Sequence, residues 1–475
     1  MKRFIKYILV ALVTVIMLTG CEEWLDVNTD PNGIVDSPAI TEDIYLIGIE
    51  AEWVQQLVSQ SVNYQTWTCY YAAQQTTSPS FIIGPGQWNC YAGSLKHAIA
   101  LYDKAKENGN NHYQGIAAII AAWHWFNLAD LFDKAPLEQA MKGDEYPYPE
   151  VASQEALYAH ANSLLDEAIV LLSGPSGELK PAKDDYILKG DMTKWVKAAY
   201  SIRARQAMRL SYGTGTTPVA QADITLAALQ NAMTDNSNDL TWVHGSDQGN
   251  WSSIYGRMLY DYSAEGMTPN LILVDLMNSC NDPRRAIMFT EAEMGGYKGM
   301  QDRAMFVEGD KPSRFSYDWI VPTFPDYMIT YHECKFLEAE AYALKSDWAN
   351  CKIALDKAIR ADMEQQGVDE NDILTYLAQP ELDVPDNIED AQKLVIEQKY
   401  IANVFETTEQ YFDWIRTGYP VIDFVYAIKD TDNSETMPRR AMYPADEIDK
   451  NPNIRAIGQP DYFAKGTSWD NKPRK

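Results

Sequence analysis

The sequence predicts a mostly α-helical protein: a repeat scaffold of paired helices with a loop-rich, irregular ligand-binding region on top. Three observations carry that expectation. Apolar residues recur at helical spacing over long stretches, as at Leu157, Tyr158, Ala161, Leu164, Leu165, Ala168 and Leu172. Successive periodic stretches are separated by short polar or Gly/Pro turns, so the helices come in pairs. Between about 235 and 325 the period breaks down, and Gly, Asn, Ser and aromatic residues take over.

At the N-terminus, Lys2, Arg3 and Lys6 precede an apolar run from Tyr7 to Leu18. The run is too short for a bilayer, which takes roughly 20 residues. It suits a secretory signal, whose apolar segment is about 7–15 residues. Leu18-Thr19-Gly20-Cys21 resembles the bacterial lipobox, in which the cysteine is acylated and becomes the mature N-terminus. Acyl chains contribute roughly 0.8 kcal/mol per buried CH₂, so several chains on Cys21 would anchor firmly. The expected organisation is a signal peptide over 1–20, a lipidated tether over 21–37 and a helical body over 38–475.

Within the body, Ser153 is a candidate N-cap for the helix through Leu172, and Gly174-Pro175-Ser176-Gly177 ends it. Asp191 caps the next, through Trp195, Ala199, Ile202, Met208 and Leu210, before a turn at Gly213–Gly215. The clearest unit is AYALKSDWANCKIALDKAI, 341–359: a helix ends at Lys345, Ser346-Asp347 turn, and Trp348 opens a second helix. Small Ala341 and Ala358 fall where two antiparallel helices must approach closely. The unit resembles a tetratricopeptide repeat, whose stacked helix pairs share one continuous core. Phe126 to Ala140 echoes the layout with Pro136 in the turn, segments 94–107 and 192–211 would supply partner helices, and 390–415 is a third candidate. The stretch TWVHGSDQGNWSSIYGRMLYDYSAEGMTPN heads a region too long for a plain connector. It reads as loops and short elements over the scaffold; 76–86 and the chain from 431 onward look similarly irregular.

Composition narrows the function classes. With 46% apolar and 23% charged residues the chain is globular. Its formal charge of −27 becomes −30 once Lys2, Arg3 and Lys6 leave with the signal. Such a surface disfavours nucleic acid and anionic lipid headgroups. Five cysteines remain beside Cys21: Cys69, Cys90, Cys280, Cys334 and Cys351, none in a CxxC arrangement. Cys334 and Cys351 fall on adjacent expected helices, so a bridge is open, but buried small apolar roles are favoured.

Catalytic signatures are missing. His332-Glu333 begins an HExxH that no second histidine completes, and no GxSxG, P-loop or GxGxxG occurs. The six histidines are scattered, so no metal site and no cofactor are expected. His124, Asn127 and Asp130 share one face of an otherwise apolar helix over 115–132, which favours a buried hydrogen-bonded strip over a site. Asp430, Asp432, Asn433 and Glu435 could hold Ca²⁺, but the EF-hand spacing and glycine are absent and a solvated acidic loop is favoured. A glycosidase carboxylate pair stays open, because its partners need not be near in sequence.

Aromatic residues are the remaining feature. Trp88, Trp242, Trp251, Tyr255, Tyr260, Tyr262, Tyr317 and Trp319 lie in the irregular segments beside Asn, Gln, Asp and Arg. Flat rings next to such side chains suit sugar recognition, where C–H faces stack and hydroxyls meet polar groups. The alternative is that they pin loops to the scaffold. The expected contact residues are Trp251 and Trp319, then Trp242, Tyr255 and Trp88, on a shallow platform that binds without turnover.

Assembled in order, these segments resemble the SusD/RagB family of nutrient-binding outer-membrane lipoproteins. The likeness runs from CEEWLDVNTDPN (21–32) through AAWHWFNLADLFDKAPLEQA (121–140) and YPYPEVASQEALYAHANSLLDEAIVLL (146–172) to GDMTKWVKAAYSIRARQAMRL (190–210). It continues in YHECKFLEAEAYALKSDW (331–348), IEQKYIANVFETTEQYFDWIRTGYP (396–420) and RRAMYPADEIDKNPN (439–453). One departure is Asp133, where the family often has glycine after the phenylalanine. The resemblance implies a helical fold built on tetratricopeptide-like pairs. It also implies a surface lipoprotein that lids a SusC-like TonB-dependent transporter and captures oligosaccharide or, in some members, peptide. Glu22 and Glu23 would accompany export to the outer leaflet, and Trp24 to Val27 would form a strap. A surface glycan hydrolase and a purely structural scaffold are the competing classes.

Overall fold

Side-chain caps set the helix boundaries. Ser153 accepts from the amide of Ala156, Asp191 from those of Thr193 and Lys194, and Asp347 from that of Asn350. Each supplies one of the orphan donors at a helix start with its acceptor. At the other end, Gly109 and Gly367 close their helices in the left-handed conformation, with φ of 69° and 80°. The computed structural model describes residues 40–72, 85–245, 253, 268–422 and 437–472, apart from 302–303, 305–306, 407, 462 and 464–466. The signal peptide, Cys21 and the tether lie outside the described residues.

The first half of the body is a run of helices: α1 (Glu42–Trp67), α2 (Ser94–Asn108), α3 (Asn111–Phe132), α4 (Gln154–Ser173), α5 (Met192–Arg209) and α6 (Pro218–Leu229). Each packs on the next in chain order. After the irregular region come α7 (Leu271–Ser279), α8 (Arg285–Met288), α9 (Tyr331–Leu344), α10 (Trp348–Gln366), α11 (Glu370–Leu377), α12 (Ile388–Ala402) and α13 (Glu409–Thr417). Two short helices, α14 (Ala445–Lys450) and α15 (Pro452–Ile457), close the chain. Helix α9 packs on α10, α6, α12 and α5, so the second run of pairs continues the first. The fold is tetratricopeptide-like, as the helical pairs predict.

Helix α3 is long and apolar enough to cross a membrane, yet almost all of it is buried among its neighbours, so it is the core helix of the stack. Close approach to α4 is possible because Gly115 has no side chain: a Cβ there would sit 2.6 Å from Leu172 Cγ. Helix α9 is apolar on two sides. One face places Phe336, Ala339 and Ala343 against Cys351, Ala354, Leu355, Ala358 and Ile359 of α10. The other places Leu337, Ala341 and Leu344 against α5 and α6. Ala341 and Ala358 therefore each face a partner helix, but not each other's. Both are fully buried. Ala341→Leu and Ala358→Leu are each expected to overpack the stack by about 1–3 kcal/mol. Unchanged thermal melts for both would contradict this packing.

Several expectations change. Phe126–Ala140 does not repeat the helix–turn–helix layout. After Phe132 the chain forms β2 (Lys134–Pro136), which pairs antiparallel with β3 (Val151–Ser153), Ala135 opposite Ala152. Extended backbone suits Ala135, which precedes proline. The candidate pair at 390–415 is two helices, α12 and α13, joined by a connection over 403–408. Among its described residues, the region 235–325 carries the short elements expected over the scaffold, α7 and α8. Strand β4 (Leu240–Trp242) pairs with β6 (Asp326–Ile329), and β1 (Tyr71–Ala72) with β5 (Thr268–Pro269).

Asp133 caps α3 with φ of 66°, a conformation glycine adopts more easily. Its carboxylate compensates by accepting from Ser468 N and Oγ, both at 2.7 Å, which ties the C-terminal segment to the end of α3. The five described cysteines are free and buried, so Cys334 and Cys351 are not bridged.

Candidate functional site

The irregular region is held to the scaffold by aromatic side chains and a few polar locks. Strand β4 delivers Trp242, and the residues after it place His244 Nε2 2.6 Å from Asp326 Oδ2 on β6. Burial pushes the Asp326 carboxyl up from its ordinary range, against the lowering effect of the His244 bond. Ser253, which lies between Trp251 and Tyr255 in sequence, donates its amide to the carbonyl of Pro322 at 2.9 Å. That bond ties Ser253 to the loop carrying Tyr317 and Trp319.

Trp319 is half-buried. Its Nε1 donates to Gln366 Oε1 at 2.6 Å, and its ring packs against Phe315, Phe324 and Phe405. Tyr317, two residues earlier, is 40% exposed, and Asp318 beside it is exposed too. This loop presents one fixed ring and one accessible ring on the same short stretch.

Trp242 and Trp88 sit otherwise. Trp242 is 6% exposed, its ring centroid 4.6 Å from that of Tyr186, which Lys189 caps at 3.8 Å. Trp88 is equally buried, on the 3₁₀ turn Pro85–Tyr91, wedged edge-on between Phe132 and Tyr443. Neither offers an exposed face: both pin connecting segments to the helices, because a large ring buries more surface by filling a helix-end gap than by standing in water. The expectation of an exposed platform is corrected for these two. Trp251, Tyr255, Tyr260 and Tyr262, and the acidic run Asp430, Asp432, Asn433 and Glu435, lie outside the described residues.

The polar strip on α3 is a hydrogen-bonded helix interface. His124 Nε2 lies 2.8 Å from Ser94 Oγ, and Asn127 donates to Gln87 Oε1 at 2.9 Å. Burial pushes His124 down to about 3. A serine beside a histidine is the start of a nucleophile–base pair, but both side chains are enclosed by helices and no substrate atom could reach them.

Asp130 belongs to a buried ionic network that sequence spacing could not show. Arg209 on α5 bridges Asp130 at 3.2 Å and Glu409 of α13 at 2.7 Å. Arg205, one turn earlier, holds Glu333 of α9 through Nε at 2.7 Å and also donates to the carbonyl of Met328. Lys399 of α12 lies 2.8 Å from Asp413, and Arg416 grips Glu340 with both terminal nitrogens and Asp413 with one. Four cations thus meet five carboxylates among α3, α5, α9, α12 and α13. Burial would raise Asp413, but Lys399 and Arg416 outweigh it and hold the carboxyl well below the usual range. Asp130, with the least support, is pushed up to about 7 by burial despite Arg209. The network clamps the two runs of helices to each other and supplies no accessible acid or base.

Comparisons with known proteins agree with this architecture. The family model for SusD-like proteins, described as starch-binding and associating with the outer membrane, matches residues 39–444. A SusD homologue of Bacteroides fragilis superposes with a TM-score of 0.75 at 20% identity, covering 88% of this chain and 95% of its own. A chitin-binding protein gives 0.75 at 21% identity, over 91% of this chain and all of its own. A SusD/RagB family protein of Bacteroides thetaiotaomicron gives 0.69 at 22%, over 92% of this chain and all of its own. No curated protein sequence matches. The structural likenesses show the shared fold, the family model covers nearly all of the helical body, and the chain belongs to the SusD-like family.

Proposed function

We propose that the protein is a lipoprotein of the outer membrane, anchored through Cys21 and facing the cell exterior. It captures a nutrient, an oligosaccharide by preference, and delivers it to a SusC-like TonB-dependent transporter without chemical turnover. The observation that carries this reading is the match of the family model across 39–444, a family described by starch binding at the outer membrane. The chitin-binding protein of the same fold supports a carbohydrate ligand. Tyr317 and Trp319 add local support, since an accessible ring beside a fixed one, with Asp318 between, suits a sugar ring and its hydroxyls. Peptide capture is the second reading within the family resemblance.

An array of glycans and peptides screened with the full-length protein, followed by calorimetric titration of the best ligand, tests the proposal. Trp319→Ala, Tyr317→Ala, Trp251→Ala and Tyr255→Ala are the informative variants. A stacking residue at the centre of a site loses roughly 2 kcal/mol or more on truncation to alanine. At least one of the four is expected to lose that much affinity while keeping its melting temperature. Trp88→Ala and Trp242→Ala should do the reverse, melting early with little change in affinity. Four variants that all bind like wild type would move the site elsewhere; peptides binding in place of glycans would favour the second reading.

A further inference from the structure

Three buried side chains converge where α9, α10 and the α12–α13 connection meet. His332 stands in the first turn of α9, Asp362 in the last turns of α10, and Glu406 in the connection. One donor atom of each lies within 4.8 Å of those of the other two. His332 Nε2 is 3.0 Å from Glu406 Oε2. All three residues are buried, yet His332 Nδ1 and Glu406 Oε1 have no hydrogen-bond partner. A buried polar atom left without a partner costs about 1–3 kcal/mol, so two on one contact pair leave donor positions that an occupant would satisfy. Asp362 is oriented from outside: its Oδ2 accepts from Arg284 Nη1 at 2.6 Å, while Oδ1 has only a long contact of 3.5 Å to Gln366. A carboxylate steadied by an outer hydrogen bond is the usual support of a metal ligand.

We propose that His332, Asp362 and Glu406 form a buried site for a divalent first-row transition cation of the Zn²⁺ type. The donor set selects the class. Imidazole nitrogen with two carboxylates suits Zn²⁺ and its neighbours, whereas Ca²⁺ and Mg²⁺ take oxygen alone. Tetrahedral Zn²⁺ holds such donors at about 2.0–2.2 Å, so two ligands on one ion stand about 3.3–3.5 Å apart. The most widely spaced of the three donors need to close by up to about 1.5 Å. Three protein ligands leave one position for water. The cation would staple the α12–α13 connection to the α9–α10 pair; enclosed as it is, it is structural. The site was invisible to sequence spacing because its ligands come from three distant elements.

The test uses full-length protein stripped with chelator and titrated with ZnCl₂. One equivalent should bind, raise the melting temperature and be removed by EDTA, as expected of a ligand that binds only the folded state. The Zn K-edge absorption spectrum should show a nitrogen and oxygen shell near about 2.0 Å with one imidazole and no sulfur. Glu406→Gln and Asp362→Asn, both isosteric, should each weaken Zn²⁺ binding at least tenfold. No stoichiometric binding, sulfur in the shell, or wild-type affinity in both variants would overturn the site. Stabilisation by CaCl₂ that disappears in both variants would overturn the choice of cation. Should either variant fail to fold, the wild-type absorption spectrum decides alone.

Discussion

Arg416→Met is expected to destabilise the protein by about 3–5 kcal/mol, the usual consequence of removing one partner from a buried ion pair. Arg416 is fully buried and is shared by Glu340 and Asp413. Without it, Glu340 keeps only the Gln392 amide as a donor, at 2.7 Å, and Asp413 keeps only Lys399 as a cation. Two carboxylates would then face a low-dielectric interior with one cation fewer. The size of the loss comes from these stranded charges rather than from the worth of the pair itself. A second variant separates the two: Arg416→Met with Glu340→Met should recover part of the loss, because Glu340 is then no longer a stranded charge and Asp413 keeps Lys399. Urea unfolding followed by circular dichroism measures both. A loss below about 1 kcal/mol for the single variant would mean that solvent reaches the network and the clamp is not buried as described.

Cys21→Ala is expected to abolish membrane attachment while leaving the fold unchanged. Only the thiol can be acylated, so the substitution removes the attachment point and changes one small side chain. In cells lacking the proposed transporter, fractionation should find the variant almost completely in the soluble fraction and the wild type in the membrane. A single acyl chain already binds marginally and two or more bind firmly, so the contrast between wild type and variant is large. Retention of the variant in the membrane at wild-type levels would overturn the anchor.

The parts of the fold legible in the sequence were those set by local chemistry. The caps at Ser153 and Asp191, the Ser346-Asp347 turn before Trp348, and the apolar period behind each mark helix starts that α4, α5 and α10 reproduce. The segment Phe126–Ala140 misled because its helix and its turn look like the first half of a repeat. The second half is taken by a β2–β3 pair, which depends on Val151–Ser153 further along the chain. Ala341 and Ala358 were rightly read as contact residues. That they touch different partners follows from α9 being buried on two sides, a tertiary fact with no local signal.

The site was less legible. Trp88 and Trp242 have polar, glycine-rich neighbours, like residues of a binding loop, yet Phe132, Tyr443 and Tyr186 from other elements bury them. Sequence neighbours do not report which ring faces solvent. The charge network hid for the same reason: Arg205, Glu333, Lys399 and Asp413 each look like solvated positions on amphipathic helices. A signal was present around Lys399 and Asp413, where IEQKYIANVFETTEQYFDWIRTGYP (396–420) mixes Lys, Glu, Asp and Arg into a stretch unusually rich in large aromatic residues.

Capture without turnover is the central claim, and it is tested most directly by incubating the full-length protein with the glycan that the array selects. Binding is read by calorimetry and the glycan is recovered for chromatographic analysis. The account predicts saturable binding and a recovered glycan of unchanged chain length after prolonged incubation. Shortened products at a rate proportional to protein concentration would contradict it and make the protein a hydrolase.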